Sequence, residues 1–312
     1  MSTLQNRNDP YQSVTDLIIE HLERGTVPWR CPWQRDVGIP RNFHSGKAYG
    51  GVNVLLLGFR HRPSPWWLTF RQALERGGHV RKGEKGATVV KYGQFKPKGD
   101  LAESTADDAK AKKKMYLREY TVFNATQIEG VEFPAVSTRP PLNEDERNFA
   151  AEQIVARMPQ RPVIMEGPGT RAYYSLSTDT IHLPSFGSFE SAAAYHSTVF
   201  HEVIHSTGSE SRLNRESLVK HGKFGDSSYS QEELVAEIGA AFLGMEADII
   251  RDAHEQSAAY LQSWLDVLRV KEHKRWIVTA AGQATKAVDF VLNRLPADSV
   301  VPAEAPEEMV TA

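Results

Sequence analysis

The sequence predicts an α+β protein of two domains, an N-terminal α+β domain and a C-terminal, mostly helical domain with a small sheet. Three observations carry this. Residues 1–125 hold 21 Lys+Arg against 12 Asp+Glu, and residues 126–312 hold 16 against 27, so the net charge of −2 conceals +9 and −11. Such asymmetry points to two modules with different partners. A turn-rich stretch, Ser137-Thr138-Arg139-Pro140-Pro141, then separates the halves and leads to Asn143, a helix N-cap type. Finally, β-rich runs with turn glycines precede this linker at 136–143, and long apolar-periodic runs follow it.

In chain order, Pro10 suits the first turn of a helix whose apolar face is Val14, Leu17, Ile18 and Leu22, ending before Gly25. A short helix is expected from Thr69 to about Arg76. Val80 to Gln94 and Met115 to Asn124 read as strands, with Gly83, Gly86 and Gly93 as turn points. Between them the polar, Lys/Asp/Ala-rich stretch 100–114 reads as a mobile loop. Beyond the linker, helices are expected over 144–158, 189–207, 230–247, 252–269 and 275–295, with a small sheet around 162–183. The domains are thus 1–135 and 144–296. The Pro/Glu/Ala-rich tail 297–312 reads as disordered.

Composition narrows the function classes. A single cysteine, Cys31, excludes an intrachain disulfide and suits a reducing cytoplasm. No apolar run reaches membrane-spanning length, and Met1 to Asp9 carry no apolar signal core, so a cytoplasmic, membrane-free protein is expected.

The densest chemistry is His201-Glu202-Val203-Ile204-His205. Two histidines four apart share one face of a helix and can ligate one Zn2+ ion, or another divalent transition metal. Glu202 between them can then act as general base on a water. A shuffled chain of this composition shows the pattern roughly 3 times in 100, so context matters. The surrounding run 189–207 is Ala-rich and free of Gly and Pro, with Ser188 as an N-cap and Gly208 in the C′ position. A third ligand is required. Ser211 stands where a third histidine would extend the motif to HExxHxxGxxH, which excludes that subclass. The candidates are His221, Asp226, Glu232, Glu233 and Glu237. Glu233 is the favoured ligand, with Glu237 on the same helix face behind a histidine, or the reverse. Glu233 also fits a capping box opened by Ser230. Tyr229 is placed to steady an oxyanion if it faces the metal. A strand or hairpin over 173–184 would lie beside the metal helix, where its edge can pair with an extended peptide.

The N-terminal half is basic and aromatic. Residues 60–98 hold ten Lys+Arg, opposed only by Glu75 and Glu84. Cations that track phosphates, interleaved with aromatic rings that stack on bases, suit single-stranded nucleic acid. The candidate contact set is Trp29, Arg30, Trp33, Tyr49, Trp67, Arg71, Arg81, Lys82, Lys85 and Lys91, with the polar Asn42, Asn53 and Gln72. A tryptophan in a small domain serves equally well as core. The glycines of 77–86 do not match P-loop spacing and open no helix, so this reads as a basic turn region.

Several linked motifs resemble the ArdC antirestriction family. In the first half these are Leu22-Glu23-Arg24-Gly25-Thr26-Val27-Pro28-Trp29 with Pro32-Trp33, Tyr49-Gly50-Gly51-Val52-Asn53, Trp67-Leu68-Thr69-Phe70-Arg71-Gln72-Ala73, Gly78-His79-Val80-Arg81-Lys82-Gly83-Glu84-Lys85-Gly86 and Tyr120-Thr121-Val122-Phe123-Asn124. In the second half they are His201 to Gly208 and Glu232-Glu233-Leu234-Val235-Ala236-Glu237. The resemblance implies a plasmid-borne protein that binds single-stranded DNA and protects DNA entering a recipient bacterium from type I restriction. It also implies a C-terminal metallopeptidase fold, with the restriction machinery as one possible protein substrate. The first domain is similar to one found on some plasmid primases.

Two other functions fit the same residues. A pure binding protein would carry a structural or inactive zinc site. A DNA-dependent repair protease would cleave proteins crosslinked to DNA.

Overall fold

Asp9 opens the first helix by accepting a hydrogen bond from the Tyr11 amide, and Pro10 fills the first turn. This helix, α1 (Pro10–Glu23), buries Val14, Ile18 and Leu22 and ends before Gly25 at φ +79°. In the computed structural model the described residues are 9–30, 38–94, 115–135, 142–219, 227–249 and 258–294. The sequence-read loop 100–114 and tail 297–312, Cys31, and most of the linker lie outside them.

The N-terminal half continues with β1 (Arg41–Asn42), α2 (Val52–Gly58), β2 (Trp66–Thr69), α3 (Phe70–Glu75), β3 (His79–Val80), β4 (Ala87–Gln94), β5 (Met115–Asn124) and β6 (Ile128–Glu129). One sheet has the order β1-β2-β5-β4, and β3 pairs with β6. The β4–β5 pair is antiparallel, from Ala87 opposite Val122 to Gln94 opposite Met115. The expected strand 80–94 is therefore two strands, broken by a turn with Gly83 at φ +88°. Helix α2 has no counterpart among the expected elements. Its Asn53 side chain donates to the Val90 carbonyl (2.8 Å) and accepts from the Val90 amide (2.7 Å), standing in for a missing strand neighbour.

The C-terminal half comprises α4 (Glu144–Ala156), β7 (Val163–Gly167), β8 (Tyr173–Ser175), β9 (Thr180–Pro184), α5 (Ala192–Ser206), α6 (Glu216–Val219), α7 (Ser227–Ala247), α8 (Ala258–Leu268) and α9 (Trp276–Val291). Asn143 and Glu146 close a reciprocal capping box at the start of α4. The small sheet has the order β7-β9-β8.

Three local expectations are corrected. Helix α5 begins at Ala192 under a Ser191 cap, because Phe186–Ser188 forms a single tight turn and Phe189 is extended. Helix α7 already runs at Ser227, so Ser230 is interior and cannot cap. Gly208 is not a left-handed C′ residue. A Cβ there would meet Arg215 Nη2 at 2.7 Å and Leu218 Cδ2 at 2.9 Å.

One apolar core runs from Val14 in α1 to Val291 in α9 and holds residues of both halves. Trp29 has no exposed surface: its ring meets Trp264 edge-on at 5.3 Å and its Nε1 donates to Tyr260 (3.3 Å). Thr15 donates to the Lys274 carbonyl, and the Gly51 amide donates to Thr285 Oγ1 (2.8 Å). These contacts fasten α1 and α2 to the helices of the acidic half.

Candidate metal centre

Helix α5 carries His201 and His205 one turn apart, and α7 packs beside it and brings in Glu233. The Nε2 atoms of the histidines are 3.1 Å apart. Glu233 Oε2 lies 3.4 Å from His201 Nε2, and Glu233 Oε1 lies 3.5 Å from His205 Nε2. Tetrahedral ligands at ~2.1 Å from a Zn2+ ion stand ~3.4 Å from each other. The three side chains therefore fit a small divalent cation, and among the described residues they are the one His/carboxylate cluster with such spacing. Glu233, expected as the third ligand, places one carboxylate oxygen within 3.5 Å of each histidine Nε2. His221 and Asp226 lie outside the described residues. Gly239 lets α5 and α7 approach: a Cβ there would strike Ile204 at 2.8 Å.

Each histidine is backed by a carboxylate. Glu237 Oε1 is 4.0 Å from His201 Nδ1, on the expected side of the ring but beyond hydrogen-bond distance. Glu232 Oε1 is 3.3 Å from His205 Nδ1. Bonded to Nδ1, the Glu232 carboxylate fixes the His205 ring and leaves its Nε2 free to ligate. Glu232 is in turn held by Arg215 (Nη2–Oε1 2.5 Å, Nε–Oε2 3.1 Å) and by Ser217 Oγ (2.6 Å). Arg215 also donates to Thr207 Oγ1 and to the Ile204 and His205 carbonyls, closing the C-terminal end of α5.

The charges are strongly coupled. Burial favours the neutral form of Glu232, but the Arg215 charge and the His205 bond outweigh it and hold the carboxyl down at about 2. Burial likewise opposes ionisation of Glu233, and His201 and His205 override it, keeping it well below the carboxylate range. Tyr229 is pushed up to about 12 by burial and the Glu233 charge, so its phenol keeps its proton at neutral pH.

The site opens into a cleft of about 650 Å³. It is lined by His201, Glu202 and His205 of α5 and by Tyr173 and Tyr174 of the edge strand β8, followed by Leu176. Tyr229 and Leu218 also line it. Glu202 is buried in the protein yet lines this cleft, the position a general base needs. The sheet is fastened to the end of α5 by Arg212, whose guanidinium donates to both Asp179 oxygens (2.8 Å each), to the Ser206 and Gln160 carbonyls and to Ser209 Oγ.

Sequence reasoning missed Arg215, Arg212 and Ser217. They come from the loop and short helix after α5, where no periodicity marks them. In the sequence Glu232 reads only as a candidate ligand; its place is behind His205.

The expected nucleic-acid set is only partly at the surface. Trp29 and Trp67 are corrected: both are core, at 0% and 2% exposure, and a buried ring offers no face to a base. Asn53 is spent on Val90, as described above. Asn42 donates to Gln72 Oε1 (3.0 Å) and Tyr49 Oη (3.4 Å), and Gln72 completes the capping box of α3 with Thr69. Tyr49 packs on the Trp67 cluster. These polar groups hold the sheet to its flanking turns. Arg71 pairs with Glu75 (2.9 Å) and Arg81 with Glu84 (2.7 Å). Lys82, Lys85 and Lys91 are exposed. Trp33 and the Arg30 side chain lie outside the described residues. No helix among the described residues is long and apolar enough to cross a membrane.

Comparison with known proteins agrees with this layout. Residues 8–123 match the family model of the N-terminal domain of anti-restriction factor ArdC, and residues 149–283 match a zincin-like metallopeptidase model. The metal-free crystal structure of the antirestriction ArdC protein from plasmid R388 is 41% identical, with a TM-score of 0.71 over 92% of this chain and 97% of that one. Its Mn(II)-bound form gives a TM-score of 0.69 at the same identity, covering 92% and 98%. An uncharacterized protein, y4eC of Sinorhizobium fredii, is 33% identical over 93% of both chains. DNA primase TraC of Escherichia coli is 37% identical over 90% of this chain but only 27% of its own length, so this chain spans about a quarter of that primase. With full-length similarity to ArdC and both of its domain models in order, the chain belongs to the ArdC antirestriction family and carries that family's zincin-like domain.

Proposed function

We propose that this protein is a metal-dependent peptidase tethered to single-stranded DNA, acting in the bacterial cytoplasm to shield plasmid DNA entering during conjugation from type I restriction. The donor triangle of His201, His205 and Glu233, with Glu202 beside it on an open cleft, carries the enzymatic half. A Zn2+ ion, or another divalent transition metal, held there supplies Lewis acidity, lowering the pKa of water and polarising a carbonyl. The chain's own groups do the rest. The Glu202 carboxylate takes a proton from the attacking water and returns it to the leaving amine. The protonated Tyr229 phenol donates to the developing oxyanion. The free edge of β8 aligns an extended peptide across the cleft by backbone pairing. The basic N-terminal half supports the DNA-binding part of the reading. The restriction machinery is the natural protein target for a tethered peptidase of this kind.

Glu202→Gln tests the enzymatic half. The variant should bind metal and oligonucleotide like the parent, yet lose peptide cleavage and protection of incoming DNA. Full protection by this variant would move the function to DNA binding alone.

A further inference from the structure

On the face of the main sheet that bears Trp67, the register places Ala87 opposite Val122, Val89 opposite Tyr120 and Lys91 opposite Arg118. The first of these rows and Val89 of the second are covered: Trp67, Ala87, Val89 and Val122 pack with Leu57 of α2 and Tyr49. The cover stops at Val89. Beyond it Lys91, Arg118 and Tyr120 are exposed, the tyrosine at 38%, and the Arg118 guanidinium carbon lies 5.4 Å from the Tyr120 ring centroid.

This patch has two features that packing does not explain. Two cations directly across a strand pair repel each other, a destabilising arrangement that an anion between them would relieve. The strands offer no internal anion. The one acidic residue of β1, β2, β4 and β5 is Glu119, which faces Val90 and so lies on the opposite side of the sheet. Arg71 and Arg81 elsewhere in this half are neutralised by neighbouring glutamates, but neither Lys91 nor Arg118 has an ion pair among the described residues. Beside the cations sits an exposed aromatic ring, a surface that suits an unpaired base and not the closed stack of a duplex.

We propose that Lys91, Arg118 and Tyr120 form a contact surface for single-stranded DNA, with the two cations on backbone phosphates and the Tyr120 ring against a base. The assignment rests on the DNA-binding reading above and gives it a location that the buried tryptophans do not provide. It reads no sequence, since every base has a face that stacks.

The test is anisotropy of the full-length protein with fluorescein-labelled oligothymidylate over a salt series. Lys91→Gln and Arg118→Gln should each weaken binding and lower the log–log salt slope by about 0.7. Tyr120→Thr should weaken it roughly tenfold, while Tyr120→Phe, which keeps the ring, should bind like the parent. Lys286→Gln, an exposed cation on α9, should change nothing. Duplex DNA should compete poorly. Parent-like affinity and slope in Lys91→Gln, Arg118→Gln and Tyr120→Thr alike would overturn this surface while leaving the DNA-binding reading intact. Failure of the parent itself to bind would remove both. Loss of binding in Tyr120→Phe equal to that in Tyr120→Thr would overturn the stacking role.

Discussion

Arg215 and Glu232 form a two-point ion pair, both side chains almost wholly buried, directly behind His205. Removing one partner of such a pair leaves an unpaired charge out of water, at a cost of about 3–5 kcal/mol. Arg215→Met should therefore lower stability by about that amount. Glu232→Gln keeps an oxygen for Arg215 but removes the negative charge from His205 Nδ1. Because it also leaves the buried Arg215 without its counter-charge, it should lower stability as well, and in addition weaken metal affinity about 10–100-fold. Competition against a chelator measures the second effect and chemical denaturation the first. Unchanged metal affinity in Glu232→Gln would show that Glu232 does not tune His205.

Gly208 owes its identity to the same pair. Its missing Cβ leaves room for Arg215 Nη2 at 2.7 Å. The end of an arginine side chain can usually move aside, but this one is held by Glu232, Thr207 and two carbonyls. Gly208→Ala should cost about 1–3 kcal/mol and weaken metal binding in the same direction as Glu232→Gln. Parent-like melting of Gly208→Ala would show that Arg215 is free to shift.

Metal binding should itself stabilise the fold, since the donors come from two separate helices. At a free concentration one hundred times the dissociation constant the gain is about 2.7 kcal/mol. The melting temperature should rise with added Zn2+ and fall back with chelator. His201→Ala should abolish the shift. A shift that survives this change would place the ion elsewhere.

Asp179 and Arg212 give a pH signature away from the metal. Burial would raise the Asp179 carboxyl, but the Arg212 and Tyr174 hydrogen bonds prevail and leave it below 3.8. A depressed carboxyl adds stability above its unfolded value, and that contribution is lost as pH falls through the folded value. Asp179→Asn tolerates the local φ of +48° and removes the charge. It should be less stable than the parent at pH 7, with the gap closing below about pH 3.8. Stability measured across this range checks it; a gap that persists in acid would argue against the ion pair.

The helix period made His201, His205 and Glu202 legible, because spacing alone fixes which side chains share a face. Glu233 was legible for the same reason, once α7 was placed. Its neighbour Glu232 was not, since its role is set by Arg215 from an aperiodic loop. The short α2 went unread because seven residues hold too few turns for a pattern. Trp29 and Trp67 are core and not surface because composition counts rings without saying which face solvent. Trp29 follows a helix of the first half yet packs on Trp264 of the second, a contact across more than two hundred residues that no local pattern encodes.

Trp29 separates packing from stacking. Trp29→Phe keeps an apolar ring beside Trp264 but loses the bond from Nε1 to Tyr260. It should lower the melting temperature, by an amount matching about 1–2 kcal/mol for the lost volume and hydrogen bond. At temperatures where both proteins are folded, oligothymidylate affinity should stay within about twofold of the parent, since a fully buried ring reaches no base. Tyr120→Thr should behave in the opposite way, with weakened binding and a nearly unchanged melting temperature. Melting curves and anisotropy on the same samples decide the matter: reduced affinity in Trp29→Phe without any loss of stability would return that tryptophan to the DNA interface.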